Sequence, residues 1–282
     1  MSKRIKIWFI VGAFLLVIGA TLFVVTMTIN RWDFRKLSTI KYENTSQTVL
    51  DPFQNITILA DDEDIMFAPS SDNTCQVLCK APEMVNCLVE VRDNTLYIEV
   101  QDNRAWYHYI GIGSNSSAIT IFLPQKAYEA FHIQTSTGDV TVRDLTLTSL
   151  SVSVSTGDVH LSRVASTGDI TVSVSSGDVS MYDVTCQNLT SSGSTGDMEL
   201  ERVLALGTIS VERNTGDVEF EGCDAPNIVI ETTTGDVDLT LLSGKDFDIR
   251  TSTGEREVPP SMGGGNCKVT TSTGDIEIEI GR

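Results

Sequence analysis

The chain has 282 residues, of which 38 are acidic and 20 basic, so its net charge at pH 7 is −18. The charge is uneven, because residues 1–41 carry +6 and the remainder carries −24. A body this acidic is a poor match for nucleic acid or for an anionic lipid surface, and we expect no nucleic-acid partner.

The first elements in chain order are a basic tail and an apolar segment. Residues 1–6 contain three basic side chains, and residues 7–29 contain no charge. Twenty-three apolar or small residues are enough to cross a bilayer. A cleaved signal peptide would have a shorter apolar core, and its small-residue site after Ala20 would lie inside the run. We therefore predict an uncleaved transmembrane helix over 7–29, with the bilayer as its partner.

Basic residues flank this segment on both sides, so their count does not decide the orientation. The acidic body favours a cell-membrane protein with its C-terminal part outside the cytoplasm. Residues 30–52 are predicted to be a juxtamembrane stalk. Residues 53–134 read as less regular strands, with a hairpin turn over 92–95, and form either a cap or the first coils of the structure that follows.

Thr-Gly-Asp or a close variant recurs through the second half of the chain, over residues 135–282. With one exception, Gly168, the copies are 19 or 20 residues apart. Regular spacing of this kind is typical of a small unit stacked on itself. The glycines, predicted to be structural turns, are Gly138, Gly157, Gly168, Gly177, Gly196, Gly216, Gly235, Gly254 and Gly274.

Each repeat has the alternation of a strand with one buried face. Counted from the glycine, position +4 is apolar in all eight regular repeats, and position +2 in all but the one with Arg256. Position +7 is apolar as well, as at Leu145 and Leu242, and a second apolar pair follows. Glycine tolerates a positive φ at a tight corner, and the aspartate after it can bond nearby backbone groups.

These patterns predict an all-β fold, a parallel β-solenoid of 19–20-residue coils preceded by one transmembrane helix. The rival is an antiparallel array in which each Thr-Gly-Asp caps a hairpin. Because side-chain identities repeat by whole coil, we favour the solenoid. Gly168 is expected to mark a second corner, and Glu277 and Glu279 to protect an open edge at the last strand.

The repeat aspartates are the first candidate for a site. Stacked coils would place them in a ladder, whose exposed carboxylates repel one another only weakly in water. We expect structural turns and no cofactor, with calcium as the alternative because hard cations take carboxylate oxygens. Residues 61–64 form a second acidic cluster, read as a solvated loop. The ladder, and with it the weak calcium candidates, consists of Asp139, Asp158, Asp178, Asp197, Asp217, Asp236 and Asp275.

Cysteines and aromatic residues give weaker signals. Cys223 and Cys267 occupy apolar positions and are predicted to be buried free thiols. Cys75, Cys79 and Cys87 form an odd cluster in which one disulfide could form outside the cell. The aromatic cluster that could contact a sugar or a partner consists of Trp106, Tyr107 and Tyr109, and its alternative is packing over the end of the solenoid.

The whole arrangement resembles a known family. An N-terminal span, irregular strands, the step Leu123-Pro124 and iterated Ser-Thr-Gly-Asp-Val units, as in 136–140, are similar to the bacterial "putative adhesin" family of membrane-anchored β-strand-repeat proteins. The resemblance covers about residues 50–282. It implies surface adhesion, and through some members a link to envelope-stress systems, and it supplies no catalytic residues.

We therefore predict a non-enzymatic, membrane-anchored surface module that contacts a protein or glycan ligand. The alternative is a signalling or scaffolding module in the envelope-stress response. A distant alternative is a β-helix enzyme on acidic polysaccharide. Such enzymes gather carboxylates and basic residues in one groove, whereas this repeat body is short of lysine and arginine.

Overall fold

The N-terminal part of the chain folds as one apolar helix. The computed structural model describes residues 3–33, 41–104 and 116–281, and helix α1 covers Lys3–Ile29. Within it, Lys6–Ile29 has mean hydropathy 2.6 and is long and apolar enough to cross a membrane. The hydroxyls of Thr21 and Thr28 each donate to a backbone carbonyl one turn earlier, at 2.8 Å. These polar groups are therefore satisfied inside the helix, as a lipid environment requires.

Two compact units divide the chain, the helix belonging to the smaller one and nearly all strands to the larger. The described residues of the chain contain 23 strands. They are β1 (Tyr42–Val49), β2 (Asn55–Leu59), β3 (Glu63–Pro69), β4 (Cys75–Pro82), β5 (Val85–Arg92), β6 (Thr95–Asp102), β7 (Ser117–Leu123), β8 (Ala127–Thr137), β9 (Val140–Thr156), β10 (Val159–Ser166), β11 (Ile170–Ser176), β12 (Val179–Cys186), β13 (Leu189–Thr195), β14 (Met198–Glu201), β15 (Leu204–Ala205), β16 (Thr208–Thr215), β17 (Val218–Cys223), β18 (Asn227–Thr234), β19 (Val237–Leu241), β20 (Asp246–Thr253), β21 (Arg256–Glu257), β22 (Asn266–Thr273) and β23 (Ile276–Ile280).

The strands stack as a parallel β-solenoid, so the predicted fold is confirmed and the antiparallel rival is wrong. Each coil sends one strand into its glycine corner and another out of it. The strands before the corners form sheet 1, in the order β6, β2, β8, the end of β9, β11, β13, β16, β18, β22 and β20. Those after the corners form sheet 2, in the order β7, β3, the start of β9, β10, β12, β14, β17, β19, β23 and β21.

Eight turns of this stack carry a glycine at the corner between the two sheets. These glycines have φ between +125° and +148°, which side chains rarely adopt. The space is closed as well: a Cβ on Gly216 would meet the carbonyl oxygen of Gly196 at 2.1 Å. The corner N–H groups bond the neighbouring turn, as Gly157 does to the carbonyl of Ser176 at 3.0 Å. Conformation and close approach therefore both demand glycine here.

A second and a third corner complete each coil. Gly168 stacks on Thr148, to whose carbonyl its N–H donates at 2.8 Å, at the turn between β10 and β11. The third corner, six residues after the glycine, holds a residue with φ between +52° and +63° in five consecutive turns. Its members are Asp144, Arg163, Asp183, Arg202 and Gly222.

The prediction that Leu242 occupies a core position is wrong, and the third corner explains why. In its turn no residue at position +6 has a positive φ, so the chain has one residue fewer there, and Leu241 pairs with Cys223 across a register shift. Leu241 is buried, and Leu242 is 53% exposed. Counting a fixed seven residues from the glycine therefore selects the wrong leucine.

The order of the levels is reversed at both ends of the stack. The level of β2 and β3 lies between that of β6 and β7 and that of β8 and β9. Likewise, β22 and β23 lie between the level of β18 and β19 and that of β20 and β21. Of the open edge predicted at β23, with Glu277 and Glu279 as its protection, Ile276 and Glu277 are covered by β21, whereas the rest of the strand has only β19 beside it among the described strands. The level with exposed Arg256 takes the outer place, and the level with buried Ile276 and Ile278 takes the inner one.

The first end of the stack is covered by antiparallel strands. β4 pairs with β7, and β5 pairs with β6 through a turn in which Asp93 and Asn94 have φ of 49° and 61°, as the hairpin prediction for 92–95 requires. The interval 30–52 is not a stalk throughout, because β1 lies within it and pairs with β4. Segment 53–134 thus contains both early coils and their cap.

The core between the sheets is aliphatic, with Arg213 as an unusual member. Its side chain is 1% exposed, and its Nη2 donates to Ser191 Oγ at 3.2 Å, while Nε and Nη1 have no hydrogen-bond partner among the described residues. Nη1 occupies the place where a Cβ on Gly193 would lie. Burial lowers the pKa of Arg213, since a desolvated charge is unfavourable.

Replacing Gly216 by alanine should destabilise the stack by about 3 kcal/mol or more, because strain and overpacking add. Gly222 is the control: its φ is +63°, and the nearest contact of an added Cβ is at 3.7 Å, so Gly222→Ala should cost about 1 kcal/mol. Urea unfolding of the full chain in detergent measures both. Equal losses would contradict the close-approach argument.

Replacing Arg213 by methionine should raise stability by about 1–4 kcal/mol, because a buried charge without a counterion gives way to an apolar chain of similar length. Arg163→Met is the control, since Arg163 is exposed and paired with Asp144, and should change stability by less than about 1 kcal/mol. A loss of stability in Arg213→Met would show that the bonds of Arg213 to Ser191 Oγ and Met198 Sδ outweigh desolvation.

Candidate functional site

The repeat aspartates form a ladder that is built into the corners. Their Oδ1 atoms accept the backbone N–H of the next aspartate along the stack at 2.8–2.9 Å. The same bond ties Asp139 to Asp64 at 3.1 Å and Glu255 to Asp275 at 2.7 Å. Charge-assisted bonds of this kind stabilise the turn. Within residues 3–33, 41–104 and 116–281, no three His, Cys, Asp or Glu side chains are placed to hold a metal ion.

The cysteines separate into one bridge and four buried thiols. Cys79 and Cys87 form a disulfide with a Cα–Cα distance of 6.6 Å, joining β4 to β5. Cys223 and Cys267 are buried and free, as predicted, and so are Cys75 and Cys186. Burial raises the pKa of Cys186 and Cys223 to about 11 and that of Cys75 and Cys267 to about 12. Such thiols stay protonated and unreactive at neutral pH.

The predicted aromatic contact residues Trp106, Tyr107 and Tyr109 lie outside the described residues. The described part of the chain offers a different surface, the outer face of sheet 2. Side chains at positions +3 and +5 from each corner glycine point outward in two rows, because successive residues of a strand face opposite sides. The rows bring together residues from neighbouring turns in register.

A cleft of about 340 Å³ lies on this face across β9, β10, β12 and β14. Arg143 stands at one end and Glu199 and Glu201 at the other, with His160 and Tyr182 between them. The ends are three turns apart, or about 14 Å at 4.8 Å per turn. Most other outward positions hold serine, threonine, glutamate or aspartate, so this mixture is local to the cleft.

Arginine–aspartate pairs at the third corner border the cleft and influence which groups it presents. Arg163 pairs with Asp144 through two bonds, one of 2.9 Å, and Arg202 pairs with Asp183 at 2.7 Å. The guanidinium of Arg202 also lies 4.0 Å from the centre of the Tyr182 ring, which holds the ring in place. Burial and the nearby Arg143 lower the pKa of His160, so this histidine is neutral at pH 7. The cleft therefore offers a cation, an aromatic ring, neutral hydrogen-bonding groups and carboxylates.

Beyond the cleft the same face is acidic. Glu219 lies beside Glu199 on one side and Asp238 on the other, and Asp238 lies beside Glu277. Like charges directly opposite each other destabilise a sheet. Burial raises the pKa of Asp238, and the carboxylates of Asp236, Asp217 and Asp275 raise it further. On sheet 1 of the same turns, by contrast, Lys268 pairs with Glu231.

This face was not predicted from the sequence, because the outward positions were interpreted only as solvent-exposed residues. The signal was present: reading +3 and +5 down the repeats gives Arg143, His160 and Tyr182 in three adjacent turns, where the other turns mostly have glutamate, aspartate, serine or threonine. Those positions become a surface only once the parallel register is known.

Comparison with known proteins places the chain in context. The family model described as Toastrack DUF4097 matches residues 53–168 and again 165–282. No curated protein matches the chain.

The chain is also similar to several solved structures. A "putative adhesin" from Bacteroides fragilis NCTC 9343 has 15% identity and a TM-score of 0.44, covering 85% of this chain and 97% of its own. Another from Parabacteroides merdae ATCC 43184 has 14% identity, a TM-score of 0.38 and coverage of 86% and 97%. A "putative lipid binding protein" from Parabacteroides distasonis ATCC 8503 has 13% identity, a TM-score of 0.40 and coverage of 86% and 94%. The names describe those proteins.

The disulfide predicts a defined thiol count in protein isolated without reductant from the cells that make it. After unfolding, four of the six cysteines should react with an alkylating reagent without reductant, and all six with it, as read by intact mass. In Cys87→Ser, five should react in both samples, because Cys79 has lost its partner. Six alkylated cysteines without reductant would show that the bridge is absent.

Proposed function

Because this chain belongs to the Toastrack DUF4097 family, we propose that it is a non-enzymatic surface module, held in the membrane by its N-terminal helix. The outer face of sheet 2 is its contact surface for a protein or glycan partner. The observation that supports this most is the cleft between Arg143 and Glu199, with Tyr182 at its centre. An immobilised aromatic ring among hydrogen-bonding side chains is suited to binding, since little conformational freedom is lost on contact.

An outward orientation is part of the proposal. The Cys79–Cys87 disulfide favours an oxidising compartment, because cytoplasmic thiols are kept reduced. The strongly acidic body points the same way, since it would stand off from an anionic inner leaflet.

A binding role accounts for the polar residues better than catalysis does. The aspartate carboxylates of seven corner turns already accept backbone N–H groups. The free thiols are buried and protonated. In the cleft, Glu201 is paired with Arg202, and the ends of the cleft lie too far apart for two groups to act on one bond.

Protease shaving of intact cells, with a tag after Arg282, tests the location. We expect the tag to be lost without lysis. Cells carrying the full chain should also retain glycan- or matrix-protein-coated beads, and Tyr182→Ala should reduce retention about tenfold or more, the loss expected of an aromatic contact residue.

Tyr97→Ala is the matched control, because Tyr97 is also half-buried and lies 4.3 Å from a guanidinium, that of Arg92, but on β6 of sheet 1. Retention in this variant should equal wild type. A tag that survives until lysis would end the surface proposal, and co-purification with a membrane partner would then favour envelope-stress signalling. Equal losses in the two tyrosine variants would remove the cleft as the contact surface.

A further inference from the structure

The stack of corner glycines in the described solenoid turns is continued, beyond Gly138, by a different residue. This residue is Glu63. The glycines of successive corners stack on each other's carbonyl oxygens, and Gly138 stacks in the same way on the carbonyl of Glu63, at 2.4 Å from an added Cβ. On the other side, Glu63 is in register with Ser117 of β7. A carboxylic acid thus stands where the following turns have no side chain at all.

The Glu63 carboxyl is buried and only half satisfied. The residue is 1% exposed. Its Oε2 accepts the backbone N–H groups of Asp61 and Asp62 at 3.1 and 3.2 Å. Its Oε1 is buried and has no hydrogen-bond partner among the described residues. The acidic cluster 61–64 is therefore not simply a solvated loop, because its third member points into the fold.

A second carboxyl belongs to the preceding residue. The backbone N–H of Asp62 donates to Glu63 Oε2 at 3.2 Å, and the Asp62 side chain is exposed. Two neighbouring carboxyl groups, one of them buried, do not both ionise readily. A proton on Glu63 removes the repulsion between them, whereas its loss leaves two like charges at a desolvated corner.

Among the described residues, the other charged groups in contact with this corner are acidic too. Asp61 and Asp64 belong to the same loop, and Asp139 lies on the next turn, where its N–H donates to Asp64 Oδ1 at 3.1 Å. Ser117 of β7 and Thr135 of β8 are neutral. Burial raises the pKa of Glu63 to about 7, with Asp62 adding to the rise and the Asp61 N–H bond opposing it.

We propose that the Glu63–Asp62 pair is a proton-operated latch, which holds the first corner of the solenoid closed while it carries a proton and loosens it when the proton leaves. The folded corner binds more protons than the unfolded one between the ordinary glutamate pKa of 4.5 and about 7. The latch is therefore fully closed below this window and loses stability as pH rises through it.

The response is confined to the first turns of the stack. In a solenoid each turn contacts only its neighbours, so loosening one corner does not unfold distant ones. Two backbone amides report on the latch directly: Thr137 donates to the Asp61 carbonyl at 2.6 Å, and Asp139 donates to Asp64. Asp178, which makes the same kind of bond to Asp158 at 2.8 Å, is the internal control.

Hydrogen exchange on the full chain in detergent micelles, from pH 5 to pH 8, tests the proposal. Rates are divided by those of an unstructured peptide at the same pH, which gives protection factors. Relative to Asp178, protection at Thr137 and Asp139 should fall about tenfold or more across this range. In Glu63→Gln, whose amide keeps the neutral form at every pH, protection should stay constant. Asp64→Asn, which removes a neighbouring charge but keeps the pair, should retain the fall.

Asp62→Asn provides a second variant with the buried carboxyl intact, and should move the midpoint of the fall to lower pH because one like charge is gone. A flat wild-type profile, an unchanged fall in Glu63→Gln, or an unmoved midpoint in Asp62→Asn would overturn the latch. So would abolition of the wild-type fall by millimolar Ca²⁺ alone, which would assign the corner to a metal ion instead.

Discussion

The stacking of one corner glycine on the next is the constraint on which the rest of this structure depends. The carbonyl oxygen of each corner lies where the Cβ of the next would be, within 2.0–2.4 Å along the stack. Backbone therefore contacts backbone from one corner to the next along the stack. Because each turn must return to the same point, the repeat length stays at 19–20 residues. Sheets, core columns and the aspartate ladder follow from this register.

The features that repeat in every turn were predicted correctly from the sequence, whereas the turns that depart from the repeat pattern were not. Glycine and the apolar positions +2 and +4 are local signals, so the parallel solenoid and its core could be read directly. The reversed order of levels at both ends could not, because neighbouring turns share the same pattern and any of them could pair with any other. Arg256 carried a usable clue, since a charged residue in a core column is less costly at the outside of the stack, although Arg213 shows that an inner turn can hold one. Leu242 failed because a missing bulge at the third corner changes the count by one residue.

The residue types of the candidate surface could be read from the sequence, but which of them lie side by side could not. Arg143 and His160 are 17 residues apart, and His160 and Tyr182 are 22 apart, and only parallel register brings them onto one cleft. The aspartates, by contrast, were correctly seen as neighbours, and their bonds to backbone N–H groups explain why a ladder of like charges can persist. The backbone contacts and hydrogen bonds that fix the register are thus concentrated at the corners. The outward positions are therefore free to differ between turns.

That separation explains why membership of this family says little about function. A change at position +3 or +5 alters the surface without touching the corner, the core or more than the adjacent turns, so one scaffold can present many different faces. The residues worth explaining are those that break a local rule without helping the stack. Opposed carboxylates at Glu199, Glu219 and Asp238 weaken sheet 2, and a buried acid at Glu63 weakens a corner that glycine would close. A chain shaped only for stability would have neither, and both lie where a binding face or a pH response would need them.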